Sequence, residues 1–323
     1  MTVEAAPNGH RIRVRIPAKI NLFLSVRGTR PDGYHELVSV MQTVTLHDTV
    51  VAQLDDDPVS AHPAARRLMA LAFRLEGPAT VPPDEDNLAV KAARYLMDAL
   101  GIGTVAATCN GAVPRTRLLL RKDIPVAAGM AGGSADAAAT LLALNHLWEA
   151  GLDRDALRGL AAELGSDVPF CVSGGTALAT GTGTATAQIL TRGTYHWVVG
   201  VSDEPLSTPA VYRAFDEVGA SSRVEPDQVL QALRTGDAEA LGAALYNDLE
   251  VAATHLRPEL AGQREALREA GALGVLVSGS GPTVLGLAGS AQHACELAER
   301  VRDRFDRVEV ALSPAGGPEL VSG

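Results

Sequence analysis

The sequence predicts an α+β fold in two domains. Its 323 residues exceed the common size of a single domain. Residues 11–16 alternate strictly between arginine and β-branched apolar side chains, which is typical of a half-buried strand. Residues 274–312 have the order strand, strand, helix, strand, which favours helices packed on an antiparallel sheet. A change in composition at residues 181–194 marks the boundary, so we expect domains at 1–185 and 186–323.

The strands are predicted from period-two or continuous apolar patterns that end at turn residues. Pro17 is expected to end the first strand or to mark an irregularity in it, because proline cannot donate a hydrogen bond to a sheet. The strands are expected at residues 11–16, 20–26, 36–51, 105–108, 117–121, 176–180, 197–201, 274–277, 283–287 and 308–312.

The helices are predicted from apolar residues spaced three and four apart. Residues 62–76 show this spacing, and residues 87–100 show it most clearly, with Asp86 or Asn87 as the capping residue. The helices are expected at residues 62–76, 87–100, 134–150, 153–164, 209–218, 226–245 (in two pieces), 258–270 and 291–305.

A stretch of small residues between a predicted strand and a predicted helix, named here the glycine loop, has the features of a phosphate site. Gly129, Gly132 and Gly133 can adopt the positive φ angles that turn N–H groups inward. A helix beginning at Ser134 and Asp136 adds the positive end of its dipole. The loop has neither the Walker A motif nor the dinucleotide fingerprint, and similar turns also precede helices as ordinary structure. The residues predicted to contact a nucleotide here are Pro125, Val126, Ala127, Ala128, Gly129, Met130, Ala131, Gly132, Gly133, Ser134 and Ala135.

Composition and charge argue against several classes of function. A net charge of −10 argues against a nucleic-acid surface. The 3 cysteines lack C-x-x-C spacing, which fits a reducing compartment and argues against a structural zinc. No apolar run has the length of a membrane span, and residues 1–10, interpreted as a disordered tail, lack the pattern of a secretory signal. We therefore expect a cytoplasmic protein that binds neither nucleic acid nor membrane.

Four further motifs accompany the glycine loop, and two of them contain residues suited to phosphoryl transfer. Lysine occurs only at positions 19, 91 and 122, so Lys19 stands out against a strong bias toward arginine. Its ammonium group would neutralise a moving phosphoryl group, and the Asp167 carboxylate would orient a hydroxyl group. A solvated strand-end charge and a helix cap are the alternative interpretations. The motifs are P-A-K-I-N at 17–21, D-G-Y-H at 32–35, G-S-D-V-P at 165–169 and V-S-G-S-G-P-T at 277–283.

Together and in this order, the motifs resemble the kinase superfamily that phosphorylates galactose, homoserine, mevalonate and phosphomevalonate. The resemblance covers nearly the whole chain. It implies a ribosomal-protein-S5-like N-terminal domain and a ferredoxin-like C-terminal domain with a cleft between them. It also implies that ATP with Mg²⁺ is the phosphoryl donor and that Lys19 and Asp167 bracket the acceptor hydroxyl. The P-A-K-I-N and D-G-Y-H motifs are most similar to the branch whose acceptor carries a cytidine diphosphate group, in the non-mevalonate route to isoprenoids.

The resemblance also implies roles for residues outside the glycine loop. Tyr34 and Tyr212 would stack on the two faces of the cytosine, and His35 would contact its edge. Asn21 would lie near the diphosphate and the polyol, and Thr208 in the second substrate wall. On the nucleotide side, the adenine contacts would come from Asn87 and Lys122, for which a helix cap and a strand-end charge are the alternatives. Ser134, and less strongly Asp136, are candidate Mg²⁺ ligands, although capping explains both equally well.

Three other functions stay open on the sequence alone. A sibling kinase for homoserine, mevalonate or a sugar shares most motifs, but the D-G-Y-H motif argues against it. A catalytically inactive nucleotide-binding protein is disfavoured because Lys19 and Asp167 are both present. A serine hydrolase is a poor third alternative, because neither Ser134 nor Ser280 lies in a G-x-S-x-G motif. Oligomeric state is not predicted.

Overall fold

The fold is an α+β architecture with a large mixed sheet and a smaller antiparallel sheet. The computed structural model describes residues 11–31, 33–54, 68–76, 86–105, 115–126, 128–218 and 223–321. The strands in this part of the chain are β1 (Arg11–Thr29), β2 (His35–Leu54), β3 (Leu68–Glu76), β4 (Gly103–Val105), β5 (Arg115–Arg121), β6 (Thr176–Gly181), β7 (Ala185–Gln188), β8 (Tyr195–Val201), β9 (Tyr246–Asn247), β10 (Gly274–Val277), β11 (Val284–Ala288), β12 (Arg307–Ser313) and β13 (Glu319–Val321).

Helices cover both sheets, and their sequences explain their ends. Asn87, Asp153, Asp237 and Ser290 each cap a helix by accepting a backbone N–H with the side chain. None of the helices in the described ranges is both long and apolar enough to cross a membrane. The helices are α1 (Leu88–Ala99), α2 (Gly132–Leu147), α3 (Arg154–Leu164), α4 (Val168–Ser173), α5 (Thr208–Val218), α6 (Asp227–Thr235), α7 (Ala238–Ala244), α8 (Leu249–Leu256), α9 (Glu259–Glu269) and α10 (Ala291–Val301), followed by a 3₁₀ turn at Arg302–Arg304.

The large sheet has the strand order β13-β1-β2-β5-β3-β4, with β6 beside β2, β7 beside β6 and β9 beside β1. Helix α2 packs against β1 and β2, and 11 of its 16 residues are buried. The smaller sheet has the order β10-β11-β8-β12. We propose the domain boundary at residues 185 and 186, at the start of β7, because from β8 onward the strands build the smaller sheet, apart from β9 and β13. Strand β7 itself still pairs with β6 of the large sheet.

The first strand is one continuous element rather than the two that the sequence predicts. It runs through Pro17, and the register with β2 shifts between Pro17 and Ala18. The expected irregularity is therefore confirmed and the expected break is wrong. The shift is important for function because it lies two residues before Lys19, on the strand that carries this side chain.

The helix expected at residues 62–76 is wrong. Residues 68–76 form β3, which pairs in parallel with β5 and β4, and residues 62–67 lie outside the described part of the chain. A nearly continuous apolar run such as 68–73 does not distinguish a helix from a strand between two neighbours. The predicted tail at 1–10, position 127 and part of the strand predicted at 105–108 also lie outside the described residues.

The segment that follows β12 returns to the large sheet. Strand β13 pairs antiparallel with β1, with Arg13 opposite Val321. On the way, the Ala315 N–H donates to Thr43 O and the Thr43 hydroxyl donates to Gly316 O at 2.8 Å. An added Cβ at Gly174 would lie 2.2 Å from the Gly317 Cα, so the two backbones are in close contact. Residues from the C-terminal part of the chain therefore complete the sheet that holds Lys19.

Candidate active site

A cleft of about 880 Å³ brings most of the predicted site residues together. One end is formed by the glycine loop and the start of α2, and the other by aromatic side chains from β2, α5 and the turn before β2. The lining includes Lys19, Asn21, Tyr34, His35, Ala128, Gly129, Ala131, Gly132, Gly133, Ser134, Ser166, Asp167, Thr208, Tyr212, Arg213, Asp216, Gly279 and Ser280.

Lys19 and Asp167, which are far apart in the sequence, meet in this cleft. The Lys19 Nζ lies 3.4 Å from the Asp167 Oδ2, and their side chains are 7% and 31% exposed. Asp167 precedes α4 at the capping position, but its side chain makes no capping hydrogen bond. The capping interpretation is therefore wrong, and the carboxylate is directed to the lysine and the cleft.

Asn21 holds the Lys19 ammonium group in place. The Lys19 Nζ donates to the Asn21 Oδ1 at 2.7 Å, and the Asn21 Nδ2 donates to the Ser39 Oγ at 2.8 Å. The Ser39 hydroxyl donates in turn to the Phe23 carbonyl at 2.7 Å. This buried chain of hydrogen bonds fixes the side chain of Lys19, and the Lys19 N–H fixes its backbone by donating to Met130 O in the glycine loop at 3.2 Å.

The glycine loop differs in detail from the sequence expectation. Gly129 has a φ of +72°, as predicted, but Gly132 and Gly133 belong to α2, which begins two residues before Ser134. Ala131 has a positive φ of +56°, which is uncommon for a residue other than glycine, and occupies the capping position without a side-chain hydrogen bond. The residues just inside the N-terminus of α2 are therefore small ones, which leaves backbone N–H groups near the cleft.

The turn at 277–283 packs against the glycine loop. The Ser278 hydroxyl donates to Gly129 O at 3.0 Å, and an added Cβ at Gly129 would lie 1.9 Å from Ser278 O. Asn247 supports the turn, because its Nδ2 donates at 2.7 Å to both Val277 O and Gly279 O. Asn247 lies in a short strand without a recognisable motif, so no sequence pattern indicated it. The turn motif is thus a support for the glycine loop.

Asn87 and Lys122 are not among the described residues that line the cleft. The Asn87 side chain caps α1 by accepting the Ala89 N–H at 2.9 Å. Lys122 is 2% exposed and forms buried ion pairs with Asp48 and Asp136. The capping alternative describes the observed Asn87 contact, whereas neither interpretation of Lys122 anticipated a buried ion group. The adenine contacts stay predictions.

The aromatic end of the cleft, made of Tyr34, His35 and Tyr212, is preorganised around the histidine. The His35 ring stacks on Tyr212 with centroids 4.8 Å apart, and Phe215 approaches its edge. The His35 Nε2 also lies 2.8 Å from the Asp216 Oδ1. Tyr34 is 67% exposed at the rim, so it is accessible to a ligand. Asp216 was missed, although its spacing of four residues from Tyr212 on α5 places both on one helix face.

The charge of Asp167 affects Tyr212 at the aromatic end of the cleft. Burial, and secondly the negative charge of Asp167, raises the pKa of the Tyr212 hydroxyl. The carboxylate therefore acts on the aromatic end as well as on Lys19. Thr208 is predicted to lie in the substrate wall. Its hydroxyl oxygen is 2.8 Å from the Ser280 Oγ, and this hydrogen bond joins α5 to the turn at 277–283.

Comparisons with known proteins agree with this architecture. The family model described as the GHMP kinases N terminal domain matches residues 87–175, and that of the GHMP kinases C terminal domain matches residues 229–307. The 4-diphosphocytidyl-2-C-methyl-D-erythritol kinase of Salinispora arenicola (strain CNS-205) is 46% identical over 92% of this chain and 89% of its own length.

Two crystal structures have similar TM-scores to this chain but differ in sequence identity. A 4-(cytidine 5'-diphospho)-2C-methyl-D-erythritol kinase has a TM-score of 0.73 and 36% identity over 94% of this chain and 99% of that one. A homoserine kinase from Cytophaga hutchinsonii ATCC 33406 has a TM-score of 0.70 but 18% identity, over 99% of this chain and 100% of that one, which shows the fold alone. The chain therefore belongs to the GHMP kinase family, among its 4-diphosphocytidyl-2-C-methyl-D-erythritol kinases.

Proposed function

We propose that the protein transfers the γ-phosphoryl group of ATP to the 2-hydroxyl of 4-diphosphocytidyl-2-C-methyl-D-erythritol, in the non-mevalonate route to isoprenoids. The observation that carries the proposal is the Lys19–Asp167 pair, located between the glycine loop and the aromatic end of a single cleft. In the proposed complex, the tail of the triphosphate and the hydroxyl of the acceptor meet at this pair. The cysteines of the sequence are odd in number and lack C-x-x-C spacing, which fits a reducing compartment, and we propose the cytoplasm.

In the proposed reaction, the acceptor oxygen forms a bond to the γ-phosphorus while the bond from that phosphorus to the ADP oxygen breaks. Asp167 accepts the hydroxyl hydrogen bond and receives the proton late, because the transition state is loose. Lys19, fixed by Asn21 and 3.4 Å from the Asp167 carboxylate, neutralises charge on the transferred group. Backbone N–H groups at the start of α2 bind the nucleotide phosphates.

Mg²⁺ fits this arrangement as a partner of the nucleotide. Within the described ranges, no group of three or more His, Cys, Asp or Glu side chains forms a metal cage. Such a cage is not required, because Mg²⁺ in kinases is held mainly by phosphate oxygens and water with one or two protein ligands. Ser134 lines the cleft and is not the cap of α2, so we propose its hydroxyl as a ligand. When bound, the ion neutralises phosphate charge.

The base is proposed to bind at the aromatic end, stacked on Tyr34 and Tyr212 with the His35 ring beside it. Stacking on an aromatic ring is worth about 1–3 kcal/mol per base. One face of Tyr212 is covered by His35, so the base would use its other face. Thr208 and Asn21 would lie along the diphosphate and the polyol.

The acceptor identity is tested by measuring ATP turnover with 4-diphosphocytidyl-2-C-methyl-D-erythritol, homoserine and mevalonate in parallel. We expect turnover with the cytidine compound alone. Equal or greater turnover with an acceptor that lacks cytidine would favour a sibling activity. Nucleotide binding without turnover of any acceptor would favour an inactive binding protein.

Asp216→Asn is expected to weaken acceptor binding by releasing the His35 ring. Asp216 is half exposed, so the ion pair is worth less than about 1 kcal/mol and the KM for the acceptor should rise about two- to fivefold. The KM for ATP should stay unchanged, because Asp216 lies at the other end of the cleft. Glu217→Gln, which removes the same charge one residue further along α5, is the control. An unchanged acceptor KM in Asp216→Asn would show that the contact does not position His35.

A further inference from the structure

Three buried charged side chains lie beneath the glycine loop, outside the cleft lining described above. The Lys122 Nζ donates to the Asp136 Oδ2 at 2.7 Å and also to the Asp48 Oδ2. The side chains of Lys122, Asp48 and Asp136 are 2%, 0% and 4% exposed. A buried ion group of this kind contributes little to the stability of the fold by itself, so its position beneath the loop suggests another role.

The group joins the two ends of the glycine loop. The second oxygen of Asp48, Oδ1, accepts the N–H of Asp123 at 2.7 Å and that of Ile124 at 2.9 Å, where the chain enters the loop. Asp136 lies in the second turn of α2, where the chain has left the loop. Lys122 connects the two carboxylates, so β2, the entry and the exit of the loop are held by one set of contacts.

The glycine at the start of α2 makes room for this ammonium group. An added Cβ at Gly132 would lie 3.2 Å from the Lys122 Nζ and 3.2 Å from the Ile124 Cγ2. Contacts of that length are tighter than an ordinary carbon contact, so a larger residue would press on Lys122 or on the loop entry. The small residue therefore serves the packing of the ion group as well as the approach of a ligand.

The two carboxylates differ in their hydrogen bonds. Asp48 uses both oxygens, for two backbone N–H groups and the ammonium group. Among the described residues, the Asp136 carboxylate accepts a hydrogen bond only from Lys122, and its Oδ1 is buried without a partner. Asp48 is therefore the carboxylate with more contacts to the loop.

We propose that Lys122, Asp48 and Asp136 form a latch that positions the glycine loop for the nucleotide, by joining the entry and the exit of the loop to β2. This loop latch rests on the proposed function, since it assumes that the loop binds the phosphates of ATP. It assigns Lys122 to the support of the loop instead of to the adenine. All three are positioning residues, because none of them contacts the ligand.

The test compares Asp48→Asn, Asp136→Asn and, as a matched control, Asp123→Asn, whose side chain is exposed beside the latch. Binding of a non-hydrolysable ATP analogue is measured by calorimetry, and KM is measured for ATP and for the cytidine acceptor. In Asp48→Asn, loss of hydrogen bonds to a buried charge should weaken nucleotide binding at least about 10-fold. The acceptor KM should change less than about twofold, since only the loop is displaced. Asp136→Asn should weaken nucleotide binding less than Asp48→Asn does, because Asp136 makes one of the described latch hydrogen bonds and Asp48 makes three.

If Asp48→Asn does not fold, the double variant Asp48→Asn with Lys122→Met removes both charges, which commonly preserves stability. The double variant should still weaken nucleotide binding at least about 10-fold, because the loop ends are no longer joined.

The proposal is overturned by any of three results. These are unchanged nucleotide binding in Asp48→Asn or in the double variant, a parallel rise of both KM values, and a larger loss in Asp136→Asn than in Asp48→Asn. The calorimetry needs no turnover, so a wild-type protein that binds nucleotide without phosphorylating the acceptor would refute the proposed function and leave the latch to be decided by the variants.

Discussion

Asp167→Asn is expected to reduce kcat by about 100- to 1000-fold, the usual effect of removing one preorganised electrostatic group from an active site. The amide has the shape of the carboxylate but cannot take the hydroxyl proton. It also leaves the Lys19 ammonium group, 3.4 Å away, without its negative partner. Since the side chain makes no capping bond to α4, the fold should tolerate the change. Steady-state kinetics with saturating ATP and acceptor measure the loss.

Asp155→Asn is the matched control for this variant. It removes a carboxylate of the same type from α3, where the side chain is 90% exposed and pairs only with Arg158 among the described contacts. We expect wild-type kcat and an unchanged melting temperature. If Asp167→Asn retains wild-type kcat, Asp167 has no part in the reaction. If its melting temperature falls by several degrees together with kcat, the aspartate has a structural role as well.

Gly129→Ala is expected to have the second large effect, on nucleotide binding. The φ of +72° costs an L residue about 1–2 kcal/mol. The added Cβ would also lie 1.9 Å from Ser278 O, so the glycine loop must move away from the turn at 277–283. With an overpacking cost of similar size, the sum is about 3 kcal/mol, or about 100-fold in the dissociation constant of an ATP analogue if the loop leaves its binding position.

Calorimetry with the ATP analogue and thermal melting check this prediction together. Gly159→Ala is the control, because Gly159 lies within α3 and an added Cβ there would meet nothing within 4 Å. This change should stabilise the protein by about 0.5–1 kcal/mol through helix propensity. Wild-type affinity in Gly129→Ala would mean that the loop and the turn do not need to be in contact.

The sequence was most informative where the chemistry of a residue type matches a requirement of the reaction. Lys19 and Asp167 were predicted to meet because a phosphoryl transfer needs both a positive charge and an oriented hydroxyl, and they lie 3.4 Å apart. The glycine loop was placed correctly before a helix, but the positive φ of Ala131 was not foreseen. A strained alanine is held there by its surroundings, which a single sequence does not display.

Other features were missed because the elements are short or because the contacts join distant segments. The two-residue strand β9 and the helix α8 have no pattern long enough to read, yet they place Asn247 beneath the turn at 277–283. Lys122 was interpreted as a strand-end charge, because no local sequence pattern indicates that Asp48 and Asp136 contact it. Contacts between distant segments decide both cases, and such contacts cannot be derived from local propensity.

The return of residues 313–321 to the large sheet has a consequence for biosynthesis. During translation, β1 is synthesised long before β13, so its edge at residues 13–15 stays open until β13 has been made. Nascent chains that stop before β13 would expose hydrogen-bonding groups on this edge and promote aggregation or chaperone binding. Folding of the catalytic sheet is thereby coupled to synthesis of residues 313–321.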